Sequence, residues 1–193
     1  MSKASVAAKK LQRQIADRER RFLKMDKPKK RVAVARDVIA ALQAKKIQAK
    51  QGNWVNLGVG KKQERLLPGG KQLRDVIIEN SPTCTACALG AMFVCAVMRK
   101  DALTVEECRS YDNLNLDYDN IADYLRAFFA EPQLEMIEVA FEKGTGAFWG
   151  DVAYADVSSK GRAALFGKQH KTAEDRMVAI MQNIISNDGT FRP

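Results

Sequence analysis

The residues whose types and spacing best suit chemistry are Cys84 and Cys87. This Cys-x-x-Cys pair opens a stretch of fifteen uncharged residues, Cys84–Met98 (CTACALGAMFVCAVM). Thiols at a helix N-terminus can have lowered pKa values, and such a pair can be a redox couple or half of a zinc site. A redox couple is expected after a strand in a βαβ setting, and no clear strand precedes Cys84. Zinc needs two more ligands, for which Cys95, Cys108 and the single His170 are available, without a second CxxC or an HxxxH. The plainer reading is packing: Cys87, Gly90, Ala91 and Cys95 are small enough to let a neighbouring helix come close.

Other catalytic and ligand patterns fail on spacing. His170 sits in a basic loop beside Lys168 and Lys171, and no serine stands in a GxSxG frame, so His170 reads as an exposed loop residue. Asp112, Asp117, Asp119 and Asp123 crowd one segment. Tested as a calcium loop from Asn115, it puts Asn120 where glycine is required and Arg126 where the bidentate glutamate is required. Turn formation and helix capping account for these acids. Gly161 and Gly167-Lys168 enclose five residues rather than the four of a phosphate loop, with Gln169 in place of Ser/Thr. Gly144-x-Gly146 lacks its third glycine and reads as a helix stop. Glu131, Glu135, Glu138 and Glu142 share one helical face, expected to be solvated or to dock a basic partner, the chain's own N-terminus included. Trp54, Lys61, Lys62, Trp149, Arg162 and Lys168, all on loops, are the residues that would hold an anionic nucleotide.

Charge is more informative than any motif. Of 32 lysines and arginines, twelve lie in residues 1–31 with only three acids, so this segment holds the whole net charge of +9. Lys9, Lys10, Arg13, Arg18, Arg20, Arg21, Lys24, Lys27, Lys29, Lys30 and Arg31 are candidate contacts to a nucleic-acid backbone, whose binding would be strongly salt-dependent. Phe22 is the one aromatic among them, which offers little base stacking. Within this arm Ala8, Leu11, Ile15, Arg18, Phe22 and Met25 recur at alternating spacings of three and four. That is the stripe of a helix over residues 4–25, and a means of self-association. Lys27-Pro28-Lys29-Lys30 marks a break or helix restart.

The elements that position these residues read as mainly α. Val34, Ala35, Val38, Ile39 and Leu42 form a helical stripe. Gly52–Gly58 alternates like a short strand or extended loop, and residues 58–70 read as an exposed loop. A short helix is expected over Lys71–Glu79, ended by Asn80-Ser81-Pro82. The Cys84–Met98 run is expected to be a buried central helix. It is shorter than the roughly 20 apolar residues needed to span a bilayer and is closed by Arg99-Lys100. Thr104–Glu107 is a capping box. Helices follow over Asn120–Ala130, after Pro132 (Leu134, Ile137, Phe141) and from Thr172 (Met177, Ile180, Met181, Ile184), while residues 144–167 read as irregular. The expected fold is a compact bundle of six or seven helices around the central one, with at most a short β-hairpin. Residues 1–30 form a basic helical arm and 31–193 a single globular domain. No secretory signal is visible, and free thiols suit a reducing cytoplasm.

CTACALGA (84–91) together with RMVAIMQNIISNDGTFRP (176–193) resembles small bacteriophage proteins with a CxxCALGA-type helix and an NxGxFxP-type tail. The likeness covers about residues 31–193 and brings no activity with it. It implies a phage protein made in the host bacterial cytoplasm, where accessory proteins bind host proteins, nucleic acids or signalling nucleotides. The expectation is therefore a non-enzymatic accessory protein, a binding module whose basic arm contacts nucleic acid or an acidic host-protein surface. The alternatives are a nucleotide-binding protein, enzyme or sponge, and a zinc protein through Cys84 and Cys87. No membrane partner is expected.

Overall fold

The computed structural model describes residues 3–57, 71–80, 84–100, 103, 118–142 and 159–193, with the backbone alone at 3–9, 11–12, 80 and 118–120. Eight helices are described: α1 (Lys3–Lys24), α2 (Lys27–Gln43), α3 (Leu73–Asn80), α4 (Ala88–Arg99), α5 (Tyr118–Arg126), α6 (Glu131–Phe141), α7 (Ser159–Lys168) and α8 (Ala173–Ser186). Three short strands accompany them, β1 (Ile47–Ala49), β2 (Val55–Asn56) and β3 (Cys84–Ala86). The protein is thus mainly α, built as seven helices and an N-terminal helical arm. No described helix is long and apolar enough to cross a membrane.

The uncharged run divides in two. Its first residues are not helical: Cys84–Ala86 is the middle strand of a mixed sheet ordered β1-β3-β2, so the expected hairpin is a three-stranded sheet. β1 runs parallel to β3 with Ile47 opposite Cys84, and β2 runs antiparallel with Val55 opposite Ala86. A short apolar run looks the same in either periodicity, and here pairing on both edges decides for the strand. Cys87 then turns the chain into α4 as its N-cap, its sulfur accepting from the Gly90 N–H at 3.4 Å.

α4 is the centre of the fold. Every residue from Ala88 to Val97 is buried, and α1, α2, α3, α5 and α6 all lie against it. Gly90 and its small neighbours do permit a close approach, but what approaches is the loop before β2 rather than a helix. A Cβ on Gly90 would stand 1.8 Å from the Trp54 carbonyl oxygen. That loop is fixed by the Cys87 N–H, which donates to the Asn53 carbonyl at 2.6 Å, and by Asn53 Nδ2 on Thr85 Oγ1 at 2.9 Å.

Residues 159–168, expected to be irregular, are helix α7. Its glycines are packing residues and not a phosphate loop. Gly161 and Gly167 are buried, and a Cβ at Gly167 would meet the Ala140 carbonyl at 1.8 Å, where α7 crosses α6. The last helix is as expected: Thr172 Oγ1 accepts from the Asp175 N–H at 3.0 Å, and the stripe of Met177, Ile180, Met181 and Ile184 is buried. The tail after it closes the core. Gly189 takes φ +85° and its N–H donates to the Ile184 carbonyl at 2.8 Å, a helix stop that needs glycine. Phe191 is buried, its N–H held by Gln133 Oε1 at 2.7 Å and its ring edge-on to Phe166. The expected loop over 58–70, the Thr104 capping box and the Gly144 helix stop lie outside the described residues.

Candidate nucleic-acid interface

Helix α1 is 22 residues long, about 33 Å, and it is amphipathic. At 100° per residue, Lys10, Arg13, Arg20, Arg21 and Lys24 fall on one face roughly 100° wide. All five are exposed, with Asp17 the one acid among them. Arg20 reaches Asp17 at 3.4 Å, and Arg21 donates to the Asp17 carbonyl at 3.3 Å. The opposite side carries Ile15, half-buried, and Phe22, only 1% exposed.

Phe22 is where the arm joins the body. Its ring meets Phe128 edge-on at 6.2 Å, with Arg99 and Lys30 within 5.5 and 5.9 Å of its centroid. Burying a phenylalanine stabilises by about 2–3 kcal/mol, and each cation over the ring adds roughly 0.5–1 kcal/mol. Beside it, Arg18 pairs with Asp37 of α2, which also accepts from Arg99 Nε at 2.5 Å and Nη2 at 2.9 Å. The clasp expected on the glutamate face of α6 is therefore made on Asp37 instead. After Lys24 the chain turns at Asp26, the N-cap of α2, whose carboxylate accepts from the Lys29 N–H at 2.9 Å. That backbone hydrogen bond, helped by the Lys29 side chain, holds Asp26 below the usual carboxylate range.

The eleven cations of the arm consequently have different duties. Arg18 is bound to Asp37, Lys30 lies over Phe22, and Arg31 is half-buried over the Phe129 ring at 5.6 Å. Burial lowers the Arg31 pKa, against the pull of Asp26. Lys29 pairs with Asp26 at 3.1 Å but stays exposed. Lys10, Arg13, Arg20, Arg21, Lys24, Lys27 and Lys29 face solvent, while the side chain of Lys9 lies outside the described residues.

The three described cysteines are buried. Cys84 stands in β3 and not at the helix N-terminus expected for it, and burial alone pushes its thiol up to about 11. Burial drives Cys87 to about 12 despite the Gly90 hydrogen bond, and it drives Cys95 upward too. A thiolate, the reactive and metal-binding form, is disfavoured at all three. No group of three or more metal-ligating side chains occurs among the described residues; Cys108 lies outside them.

The glutamate face of α6 is only partly solvated. Glu131 meets Arg126 at 2.5 Å and Glu135 meets Lys160 at 2.9 Å, but Glu138 and Glu142 are 2% and 6% exposed. The turn after β1 and the first turn of α8 cover that end of the helix. Both Glu142 oxygens accept from the Gly52 N–H, at 3.1 and 3.2 Å. Burial raises the Glu142 pKa, while the Gly52 hydrogen bond and the charge of Arg176 pull it back. Arg176 is 1% exposed, packs on the Phe141 ring at 5.7 Å and keeps Nε and Nη1 without a hydrogen-bond partner among the described residues. Sequence reasoning missed this buried charge, because an arginine in the first turn of an amphipathic helix carries no mark of burial.

Of the residues proposed for a nucleotide, the three that are described, Trp54, Arg162 and Lys168, do not converge. Trp54 lines a small cavity with Glu138 and Glu142, carboxylates that repel a phosphate. Arg162 and Lys168 are exposed on α7 and do not line it; Lys61, Lys62 and Trp149 lie outside the described residues. His170 is half-buried rather than exposed, packed edge-on against Phe166 at 5.2 Å. Of the aspartate group, Asp123 is an exposed partner of Arg126. The side chains of Asp112, Asp117 and Asp119 lie outside the described residues. No family model, curated protein or solved structure matches the chain.

Proposed function

We propose that the protein is a non-enzymatic binding module that grips a nucleic-acid backbone with the solvated face of α1. One observation carries the reading. Lys10, Arg13, Arg20, Arg21 and Lys24 are exposed on one face, back to back with the face that roots the helix through Phe22 and Arg18. A rigid helix anchored at one end presents cations along about 20 Å, a spacing suited to successive phosphates. The helix offers no exposed aromatic among its described side chains, so contacts would go to the backbone and be indifferent to sequence. The setting that the sequence resemblance implies is a phage accessory protein in a bacterial cytoplasm.

Fluorescence anisotropy with a labelled 20-mer duplex and a matching single-stranded RNA tests this. The variant with Lys10, Arg13, Arg20, Arg21 and Lys24 changed to Gln keeps the anchoring residues and stays folded. It should bind at least 100-fold more weakly at 50 mM salt. Equal affinity would remove the proposal. A pull-down from lysate, split into nuclease-treated and untreated halves, then decides between nucleic acid and an acidic protein as the arm's partner.

A further inference from the structure

A groove of about 580 Å³ opens between α2, α3 and α4, and none of Lys10, Arg13, Arg20, Arg21 and Lys24 is among its described lining residues. Its size lies within the roughly 300–1,000 Å³ range of small-molecule sites. The groove exists because α2 and its C-cap residue turn Ala40, Ala41 and Ala44 toward it, three side chains too short to fill the space. The opposite wall is Ile77 and Ile78 of α3, and Ile78 is 52% exposed. Cys95 and Met98 of α4 form part of the floor.

The polar groups stand at the ends. Lys46 is at one end, exposed; Arg18 and Asp37 are at the other, where Asp37 is already held by two arginines. Among the described lining residues Asp37 is the only acid and is therefore neutralised, and the balance of their charge is positive. The helical rise from Asp37 to Ala44 is about 10 Å, so the groove is long enough for an extended alkyl chain.

We propose that this groove binds the hydrocarbon tail of a single-chain amphiphilic anion, such as a medium-chain carboxylate, with its headgroup on Lys46. Charge complementarity selects the head and the apolar walls select the tail. The site is separate from the solvated face of α1 and does not depend on nucleic-acid binding.

Calorimetric titration of the full chain with octanoate, decanoate and dodecanoate, below their micelle concentrations, tests it. Saturable 1:1 binding should tighten about fourfold per added methylene, and dodecyltrimethylammonium should bind at least tenfold more weakly than dodecanoate. Ala40→Phe, at an exposed position of α2, fills the groove and should cost at least tenfold. Lys46→Glu should weaken dodecanoate and favour the ammonium head. Absence of saturable binding overturns the proposal, as does equal binding to Ala40→Phe or indifference to the head's charge in both Lys46→Glu and the parent.

Discussion

Arg99, at the end of the central helix, holds Asp37 of α2 through two hydrogen bonds of 2.5 and 2.9 Å, and the same carboxylate accepts Arg18 from α1. One acid thus ties the arm to the two helices beneath it. Arg99 is 13% exposed and Arg18 47%, so the two arms of this triad differ in worth. Asp37→Asn should destabilise the fold by about 2–3 kcal/mol, because it leaves a half-buried guanidinium without its counter-charge. Arg18→Ala should cost only about 0.5 kcal/mol, as exposed pairs do. Urea denaturation of the two single variants and the double variant gives the coupling; an Arg18 effect as large as that of Asp37 would contradict this division.

Phe22 makes the same point for the apolar side of the joint. Phe22→Ala should cost about 3 kcal/mol, the lower end for a buried phenylalanine, since the site lies at the edge of the core. Loss of residues 2–12, which precede the anchor, should leave the denaturation midpoint nearly unchanged. A midpoint insensitive to Phe22→Ala would show the arm to be only loosely attached.

Gly90 and Gly167 should tolerate no side chain. Each stands where a Cβ would fall 1.8 Å from a backbone carbonyl, of Trp54 and Ala140 respectively, and neither carbonyl can swing aside as a side chain does. Gly90→Ala and Gly167→Ala are each expected to cost about 3 kcal/mol or to prevent folding. Gly52→Ala meets no atom and should be mild by comparison, the strain of φ +68° being its main cost. Thermal denaturation of the three variants orders them.

The described thiols should be inert. In a Cys108→Ser background, Cys84, Cys87 and Cys95 are the remaining cysteines, all buried. Ellman's reagent at pH 8 should find no rapidly reacting thiol in the folded protein and all three in guanidinium. Rapid native reaction at Cys84 or Cys87 would reopen a redox or metal role.

Glu142 sets a pH dependence whose sign follows from its raised pKa. The folded protein holds this proton more tightly than the unfolded chain. The stability so gained is present below the ordinary value of 4.5 and is lost as pH rises through the raised folded value. Glu142→Gln never ionises, so the stability of the parent relative to this variant should fall as pH climbs from below 4.5. A relative gain for the parent over that range would mean that Arg176 and Gly52 outweigh burial.

What was legible in the sequence was periodic. The stripes of α2, α6 and α8, the Thr172 cap and the amphipathic arm all repeat at helical spacing, and the structure has them there. What was not legible depended on partners distant in the chain. Cys84–Ala86 is a strand because Ile47 and Val55 come to lie on either side of it, and nothing local distinguishes it from the helix that follows. Gly161 and Gly167 punctuate the sequence like loop residues, yet both are buried within a helix and Gly167 serves a helix crossing. Glu138, Glu142 and Arg176 look like surface residues until the turn at Gly52 covers them. In the interface, composition located the cations but could not divide them. Lys30 and Arg31 turned inward because Phe22 and Phe129 were there to receive them, and Arg18, though exposed, is engaged by Asp37.

The salt dependence of binding tests the central claim most directly. Anisotropy titrations with duplex DNA between 50 and 200 mM salt should give a log–log slope of about −4.5, as expected when roughly five cations displace counterions. The variant with Lys10, Arg13, Arg20, Arg21 and Lys24 changed to Gln should bring the slope close to zero. An unchanged slope in that variant would contradict the account, because the phosphate contacts would then lie on some other surface than the outer face of α1.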